Sequence, residues 1–181
     1  MAILKIARMG HPVLRRTAAP VTDPADPHIV RLVADMIDTL EDAGGVGLAA
    51  PQVHAPWRVV IFFVPGSRTE GAEADEVPLT VLINPEIEVI DPTVVSRVEG
   101  CLSIPDMAGE VARANGIRYR GLDLDGRVIE REATGFHARV VQHECDHLDG
   151  LLYPMRMGDM TSFGFVDELR KPATEDALTN D

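Results

Sequence analysis

The segment His143-Glu144-Cys145-Asp146-His147 constrains the fold of this chain more than any other stretch. It fits the pattern H-E-x-x-H, which presents two metal-binding imidazoles one turn apart when the segment is helical. Residues four apart share a helix face, so His143 and His147 can reach one cation. Glu144 lies about 100° from His143 around the helix, close enough to address a water on that cation. A Lewis acid, an activated water and a general base together perform metal-assisted hydrolysis.

A catalytic metal needs a third protein ligand, and the sequence offers three candidates. One class of zinc hydrolases extends the motif to H-E-x-x-H-x-x-G-x-x-H, but the last position here is Tyr153, which excludes a histidine there. A second class takes a glutamate from a later helix, here Glu168. The third candidate is Cys101, whose thiolate binds a borderline metal more strongly than a carboxylate does. We favour Cys101, because Glu168 stands in a charged run typical of a solvated surface.

Three segments together resemble the signature motifs of the peptide deformylase family: Gly45–Gln52 (GVGLAAPQ), Glu99–Ser103 (EGCLS) and Gln142–Leu148 (QHECDHL). They follow the family's order and spacing, and the similarity runs from about Gly10 to Gly164. The resemblance implies an enzyme that removes the formyl group from N-formylmethionine on new polypeptides and releases formate. It also implies one divalent metal per chain, Fe2+ in the native enzyme, with Ni2+, Co2+ or Zn2+ as substitutes.

Catalytic roles follow for the residues around the metal. Glu144 is expected to take a proton from the attacking water and deliver it to the leaving amine. By the resemblance, the Gln52 side-chain amide and the backbone N–H of Leu102 stabilise the oxyanion of the tetrahedral intermediate. Cys145 lies about 200° from His143 around the helix, so we expect it to face away from the metal and to be structural.

Substrate contacts are expected on two sides of the metal. By the resemblance, the segment Gly45, Val46 and Gly47 borders the cleft and offers backbone groups to the peptide in a strand-like manner. A methionine side chain needs an apolar pocket next to the metal. The candidates for that pocket are Val46, Phe136 and Val140, the last two one turn apart on the motif helix.

Several charged residues near the motifs are candidates for supporting roles. Glu99, among the substrate-binding candidates, is expected to form a polar rim with Arg97 or to pair with it. Asp146 and Arg113 are candidates for orienting the metal ligands from behind. Many family members carry an arginine that helps hold the substrate backbone three residues after the motif's Cys-Leu-Ser-Ile-Pro proline, and this chain has Ala108 there.

Composition agrees with one compact enzyme. A chain of 181 residues with 45% hydrophobic content suits one domain with a full core. The net charge of −12 argues against a nucleic-acid groove or binding to an anionic membrane surface. No apolar run approaches the ~18 residues of a membrane span, and the N-terminus lacks a signal-peptide pattern. Because a thiolate ligand favours a reducing compartment, we expect the protein in the cytoplasm.

The C-terminal segment of the chain is polar and acidic. We expect a deformylase-like catalytic domain over residues 1–165 and a polar tail over residues 166–181. Some bacterial family members dock on the ribosome through a basic C-terminal helix. From Asp167 to Asp181 this chain has five acidic and two basic residues, which argues against such docking. The expected partners are therefore N-formylmethionyl nascent peptides, with a transient ribosome contact at most.

Local patterns predict an α+β fold, a single compact domain with antiparallel or mixed sheets packed around the motif helix. Asp26-Pro27 begins an amphipathic helix that Gly44-Gly45 ends. Asp125-Gly126 indicates a hairpin with a type I′ turn. The remaining predictions are strands at Val59–Val64, Thr80–Ile90, Val94–Cys101, Ile117–Leu124 and Arg127–Ala133, a surface loop at Gly66–Pro78, the motif helix from Thr134-Gly135 to Gly150, and a last helix at Met160–Arg170.

Two other functions stay open at this stage. One is an H-E-x-x-H metalloprotease with Glu168 as its third ligand. The other is a non-catalytic metal-binding module that keeps the motif residues only as a structural site.

Overall fold

A computed structural model of the protein describes residues 2–68 and 76–171. In chain order its main elements are α1 (Pro27–Ala43), β1 (Gly47–Ala49), β2 (Val59–Val64), β3 (Val77–Cys101), β4 (Ile104–Leu122), β5 (Val128–Thr134), α2 (Gly135–Leu148), β6 (Gly164–Phe165) and α3 (Val166–Leu169). Short 3-10 segments stand at Pro12–Arg15, Ala50–Val53, Gly66–Arg68, Tyr153–Arg156 and Met160–Ser162. The strands form an antiparallel sheet in the order β1-β2-β3-β4-β5, with β6 paired to β4. The predicted α+β domain around the motif helix is confirmed.

Helix α1 begins and ends where the sequence predicts. The Asp26 carboxylate accepts a hydrogen bond from the His28 backbone N–H at 2.8 Å, which satisfies one free donor of the first turn. Gly44 ends the helix with φ 66°, a left-handed conformation that costs glycine little. The buried face of α1 packs on one side of the sheet.

The position of strand β2 between two core clusters explains why its sequence is apolar throughout. Val60, Phe62 and Val64 belong to the core cluster that includes α2. Val59 and Ile61 point the other way, into the cluster that includes α1. A strand covered by helices on both faces needs an uninterrupted hydrophobic run rather than an alternating one. Strand β2 therefore fixes α1 and α2 on opposite sides of the sheet.

Strand β3 corrects the prediction of two strands separated at Asp91-Pro92. It is continuous from Val77 to Cys101, and β4 pairs with it on both sides of the proline. The register shifts between Val89 and Asp91 and again between Asp91 and Val94. Proline has no N–H to give to a ladder, and such irregularities are where a strand tolerates it. Asp91-Pro92 therefore marks an irregularity within one strand rather than the boundary between two strands.

The predicted hairpin between β4 and β5 is present, but its turn type is different. Gly126 has φ 75°, and its N–H donates to the Asp123 carbonyl at 3.1 Å. Among the described residues other than glycine, positive φ occurs at His54, Asn84 and Asp106, so Asp125 does not have it. A type I′ turn needs positive φ at both central residues. The type I′ prediction is therefore wrong, and only the glycine carries the left-handed conformation.

The predicted last helix at Met160–Arg170 is also wrong. This region divides into the 3-10 segment Met160–Ser162, strand β6 and the four-residue helix α3. Strand β6 forms because β4 offers a strand edge at Met107 and Ala108, which pair with Phe165 and Gly164. A tertiary partner thus overrides the helical pattern.

Parts of two further predictions, residues 69–75 and 172–181, lie outside the described residues. The predicted loop at Gly66–Pro78 starts with the 3-10 segment Gly66–Arg68, and β3 already begins at Val77. The polar tail beyond residue 171 is not described, so the boundary at residue 165 stays a prediction. Among the residues that are described, no helix is long and apolar enough to cross a membrane.

We predict that Gly126→Ala lowers the free energy of unfolding by about 1 kcal/mol, because an L-residue at φ 75° is strained. No atom lies within 4 Å of the added Cβ, so the loss reports backbone strain alone. Chemical denaturation of the two proteins measures it. Gly158→Ala is the matched control, since its Cβ also meets open space and its φ is not in this region. Equal stability of both variants would contradict the assignment of the turn.

Candidate active site

The end of β3 and the middle of α2 bring three metal-binding side chains together. Candidate ligand atoms of Cys101, His143 and His147 all lie within 4.8 Å of one another. Cys101 is the last residue of β3, and both histidines lie on one face of α2. The Sγ of Cys101 and Nε2 of His147 are 3.3 Å apart. The structure thus assembles the three residues that the sequence predicts as ligands.

The tight turn after β3 holds the Cys101 sulfur among hydrogen-bond donors. The backbone N–H of Ser103 donates to Sγ at 3.4 Å, and Nε2 of Gln52 donates to it at 3.6 Å. These two contacts fix the position of the sulfur next to the histidines. The sulfur is therefore prepared for binding a cation.

Glu99 sets the orientation of the His143 ring. Its Oε2 lies 2.8 Å from His143 Nδ1. Burial opposes ionisation of Glu99, but hydrogen bonds from His143 and Arg113 outweigh it and lower its pKa to about 2. Because the ionised carboxylate only accepts hydrogen bonds, Nδ1 carries a proton and the other ring nitrogen, Nε2, is left to face the ligand cluster. A carboxylate behind a histidine is a common way to orient a metal ligand.

The two histidines experience opposite electrostatic surroundings. For His143, burial lowers the pKa, but hydrogen bonds with Cys101 and Glu99 outweigh it and raise the pKa well above the usual value. For His147, burial dominates and lowers the pKa well below the usual value, with help from the charge on His143. His147 is therefore a neutral imidazole, the form that binds metals.

Glu144 lies on α2 between the two histidine ligands in sequence. It is buried, and among the described residues its Oε2 has no hydrogen-bond partner. Burial raises its pKa to about 7. A carboxylate with a pKa near the working pH suits proton transfer in both directions. Gly47 on β1 provides the space, because a Cβ there would overlap the Glu144 carboxylate.

Glu99 also anchors a buried network of ions. Arg113 donates to both of its carboxylate oxygens, at 2.6 and 2.9 Å, and Arg139 donates to Oε1 at 2.7 Å. Arg113 also donates to Asp146 at 2.9 Å. Glu99 is only 6% exposed, so its expected place at a polar rim is wrong. Arg113 and Asp146 do lie behind the ligands, as expected.

A cavity of about 500 Å³ opens beside the ligand cluster. All six predicted substrate-binding residues line it, namely Gly45, Val46, Gly47, Glu99, Phe136 and Val140. Gln52, Leu102 and Glu144 line it as well. The cavity therefore connects the predicted pocket for an apolar side chain with the predicted catalytic groups.

Gln52 and Leu102 lie next to the sulfur ligand. The Gln52 Oε1 accepts the Ala49 backbone N–H at 2.8 Å. This contact turns Nε2 toward Ser103 Oγ at 3.1 Å and toward Cys101. The Leu102 side chain packs where Gly45 leaves room, since a Cβ on Gly45 would stand 3.0 Å from Leu102 Cδ1.

Sequence reasoning missed several residues of this region. Arg139 lies four positions before His143 on α2, a spacing that could have suggested a shared face. Ser103 ends the EGCLS motif, but the motif alone assigns it no role, and Met107 belongs to no recognised pattern. Arg68 comes from the connection after β2 and lines the cavity only because the chain folds back.

The alternative third ligand, Glu168, and the second cysteine, Cys145, are not part of the ligand cluster found among the described residues. Glu168 is exposed on α3 and pairs with Lys171 at 2.7 Å. Cys145 is a residue of α2 whose side chain belongs to a core cluster, and burial there raises the pKa of its thiol. The expected structural role of Cys145 agrees with this position.

The three candidate ligands suit a borderline divalent metal. Neighbouring ligand atoms around a tetrahedral ion stand roughly 3.3–3.7 Å apart. The 3.3 Å between Cys101 Sγ and His147 Nε2 meets this spacing. One thiolate and two imidazoles also match the preferences of Fe2+, Co2+, Ni2+ and Zn2+. The residues present therefore fit a metal ion.

Comparison with known proteins gives a consistent result. Residues 3–162 match the family model described as polypeptide deformylase. The chain is 44% identical to "Peptide deformylase 1" of Prochlorococcus marinus over 180 residues, which cover 99% of this chain and 94% of that protein. It is 51% identical over 170 residues to "Peptide deformylase 2" of Pseudomonas syringae, with 91% and 93% covered. A class I type b peptide deformylase from Acinetobacter baumannii, solved with Met-Ala-Ser bound, superimposes with a TM-score of 0.77 at 36% identity, covering 86% of this chain and 99% of that one.

We predict that Glu99→Gln lowers the free energy of unfolding by about 3 kcal/mol, because it removes the countercharge of buried Arg139 and one of the two carboxylates that pair with buried Arg113. The pKa of Glu99 is depressed in the folded protein, so its stabilisation is complete above pH 4.5 and is lost as pH falls toward about 2. Chemical denaturation at neutral pH and at pH 3–4 measures both effects.

The control for this prediction is Glu88→Gln on the same strand. Glu88 pairs with Arg118 at 2.9 Å, but both side chains are exposed. Such pairs contribute about 0–1 kcal/mol. If Glu99→Gln and Glu88→Gln lowered the free energy of unfolding by equally small amounts, the buried network would not contribute the stability assigned to it.

Proposed function

Because the chain belongs to the polypeptide deformylase family, we propose that Cys101, His143 and His147 hold the metal ion on which its activity depends. The protein is a metal-dependent hydrolase that removes the N-formyl group from the N-terminal formylmethionine of polypeptides. The observation that supports the ligand assignment best is the approach of these three side chains to within 4.8 Å beside the buried Glu144.

Two of the three proposed ligands, His143 and Cys101, are held in place by hydrogen bonds from other residues of the chain. Glu99 holds the His143 ring through Nδ1, so that Nε2 faces the cluster. Ser103 and Gln52 donate hydrogen bonds to the Cys101 sulfur. A divalent ion bound here supplies Lewis acidity, which polarises a carbonyl and lowers the pKa of water. We propose Fe2+ as the native ion, with Ni2+, Co2+ or Zn2+ as substitutes, because the donor set accepts all four.

Glu144 is the residue that we propose to move the proton. Its buried carboxylate, with a pKa of about 7, takes a proton from the attacking water and then gives it to the departing amine. The second transfer releases the peptide with a free amino group, together with formate. Gly47 keeps this carboxylate accessible, because any side chain on β1 at this point would displace it.

Gln52 and Leu102 are the proposed donors to the developing oxyanion. The Gln52 amide is fixed by Ala49 and Ser103, so its Nε2 needs no reorganisation during the reaction. The backbone N–H of Leu102 follows directly after Cys101 in the tight turn. Donors that are fixed in advance stabilise the transition state more than the ground state.

The methionine side chain of the substrate is proposed to occupy the wall formed by Val46, Phe136 and Val140. Burial of such a side chain contributes about 1.5–3 kcal/mol, enough to make methionine a strong determinant of binding. The backbone of Gly45, Val46 and Gly47 lies along the same cavity and is proposed to bind the extended peptide. Glu99 is proposed to act on the substrate only through His143.

The partners and the location follow as proposals. The A. baumannii relative was solved with Met-Ala-Ser, and we propose that this chain likewise accepts short methionyl N-termini of nascent peptides. The acidic sequence from Asp167 to Asp181 supports at most a transient contact with the ribosome. A thiolate ligand and a nascent-chain substrate both favour the cytoplasm.

We predict that Cys101→Ala loses most of its bound metal, whereas Glu168→Ala keeps it. The reason is that Glu168 pairs with Lys171 on the surface, while Cys101 is in the ligand cluster. Metal analysis of both purified variants after dialysis measures the difference. Full metal retention in Cys101→Ala would refute the ligand assignment, and loss in Glu168→Ala would revive the protease alternative.

We predict that Glu144→Gln keeps the metal and the fold but releases formate at least about a thousandfold more slowly from a formyl-Met-Ala peptide. The amide has the same shape as the carboxylate but cannot take a proton. Formate release and metal content should be measured on the same sample. Glu132→Gln is an exposed control that should keep full activity. Unchanged turnover in Glu144→Gln would refute the proton-transfer role.

A further inference from the structure

Arg68 places a positive charge at the mouth of the active-site cavity. It is an exposed residue of the 3-10 segment after β2, and it lines the cavity. Its guanidinium carbon stands 5.5 Å from the centroid of the Phe136 ring, within the range of a cation–π contact. This contact fixes the charge against the outer end of the wall proposed for the methionine side chain.

The other charges that line the cavity are placed differently. Arg139 is buried and donates to Glu99 and to two backbone carbonyls, so its donors are occupied. Asp106 is exposed and enters from the start of β4. Among the described residues that line the cavity, Arg68 is the exposed cation.

The geometry of an extended peptide determines which residue meets this charge. Side chains alternate along a strand, so the first and third residues point to the same side and the second points away. Two residues of strand span roughly 6.6–7 Å. With methionine against Phe136, the third side chain points to the same side of the peptide. The two-residue step is of the same order as the 5.5 Å between the ring centroid and the Arg68 guanidinium carbon, which lies over the ring.

We propose that Arg68 gives the enzyme a preference for formylmethionyl peptides with an acidic side chain at the third residue. The guanidinium, held in place by Phe136, attracts a carboxylate at that position and disfavours an ammonium group. Asp106 is present in every comparison below, so its own effect on charged peptides does not change between variants. The inference rests on the proposed function, because the methionine pocket sets the register of the peptide.

The test measures how fast the metal-loaded enzyme hydrolyses two peptides of the same shape. Formyl-Met-Ala-Glu-Ala-amide and formyl-Met-Ala-Gln-Ala-amide differ only in charge at the third residue. We expect kcat/KM for the Glu peptide to be about two- to fivefold higher, the range for an exposed ion pair, and we expect this ratio to fall with added salt. The corresponding pair with Glu or Gln at the second residue controls for position.

The variants separate the charge of Arg68 from its packing. In Arg68→Gln the third-residue ratio should approach one, in Arg68→Glu it should fall below one, and Arg68→Lys should keep a ratio above one. Arg31→Gln makes the same change in net charge on the exposed side of α1 and should keep the wild-type ratio. The second-residue ratio should be the same in wild type and Arg68→Gln.

Three outcomes are informative in different ways. A wild-type ratio that persists in Arg68→Gln overturns the role of Arg68. An equal change at the second and third residues overturns the geometry and indicates a general field effect. No formate release from any formylmethionyl peptide by the metal-loaded wild type would instead contradict the proposed function, and that failure does not depend on Arg68.

Discussion

The buried carboxylate of Glu99 is the interaction on which the rest of the site depends. It accepts hydrogen bonds from Arg113, Arg139 and His143, which come from β4 and α2, while Glu99 itself stands on β3. Arg113 extends the network to Asp146. Buried charges need partners on every side, because removing one leaves the others desolvated without compensation. This requirement locks the motif helix against the end of the strand that carries Cys101.

The same burial that demands pairing also tunes the catalytic groups. The Oε2 of Glu144 has no hydrogen-bond partner among the described residues, and burial raises the pKa of this carboxyl. Glu99, two strand positions from Cys101, has three partners and a lowered pKa. Two buried glutamates thus differ in pKa because one receives hydrogen bonds from charged donors and the other does not. One serves as an anchor and the other as a proton carrier.

Local sequence patterns predicted part of the fold well. The Asp26 cap, the Gly44 stop and the apolar run of β2 depend on neighbours in sequence, and each was confirmed. The errors arise where a distant partner decides the conformation. Pro92 is bridged because β4 pairs on both sides of it, and the segment after Ser162 becomes a strand because β4 has an edge there.

The sequence by itself determined the chemistry of this protein. The H-E-x-x-H spacing on a helix places two ligands and a base on adjacent faces, and a cysteine was the donor best suited to complete the set. Tertiary structure alone decided how that chemistry is controlled. Sequence reasoning predicted Glu99 at a polar rim, but its side chain is buried. Arg68 reaches the cavity from a segment that carries no motif. The reason is physical: helix periodicity acts over a few residues, whereas burial and charge pairing join side chains far apart in the chain.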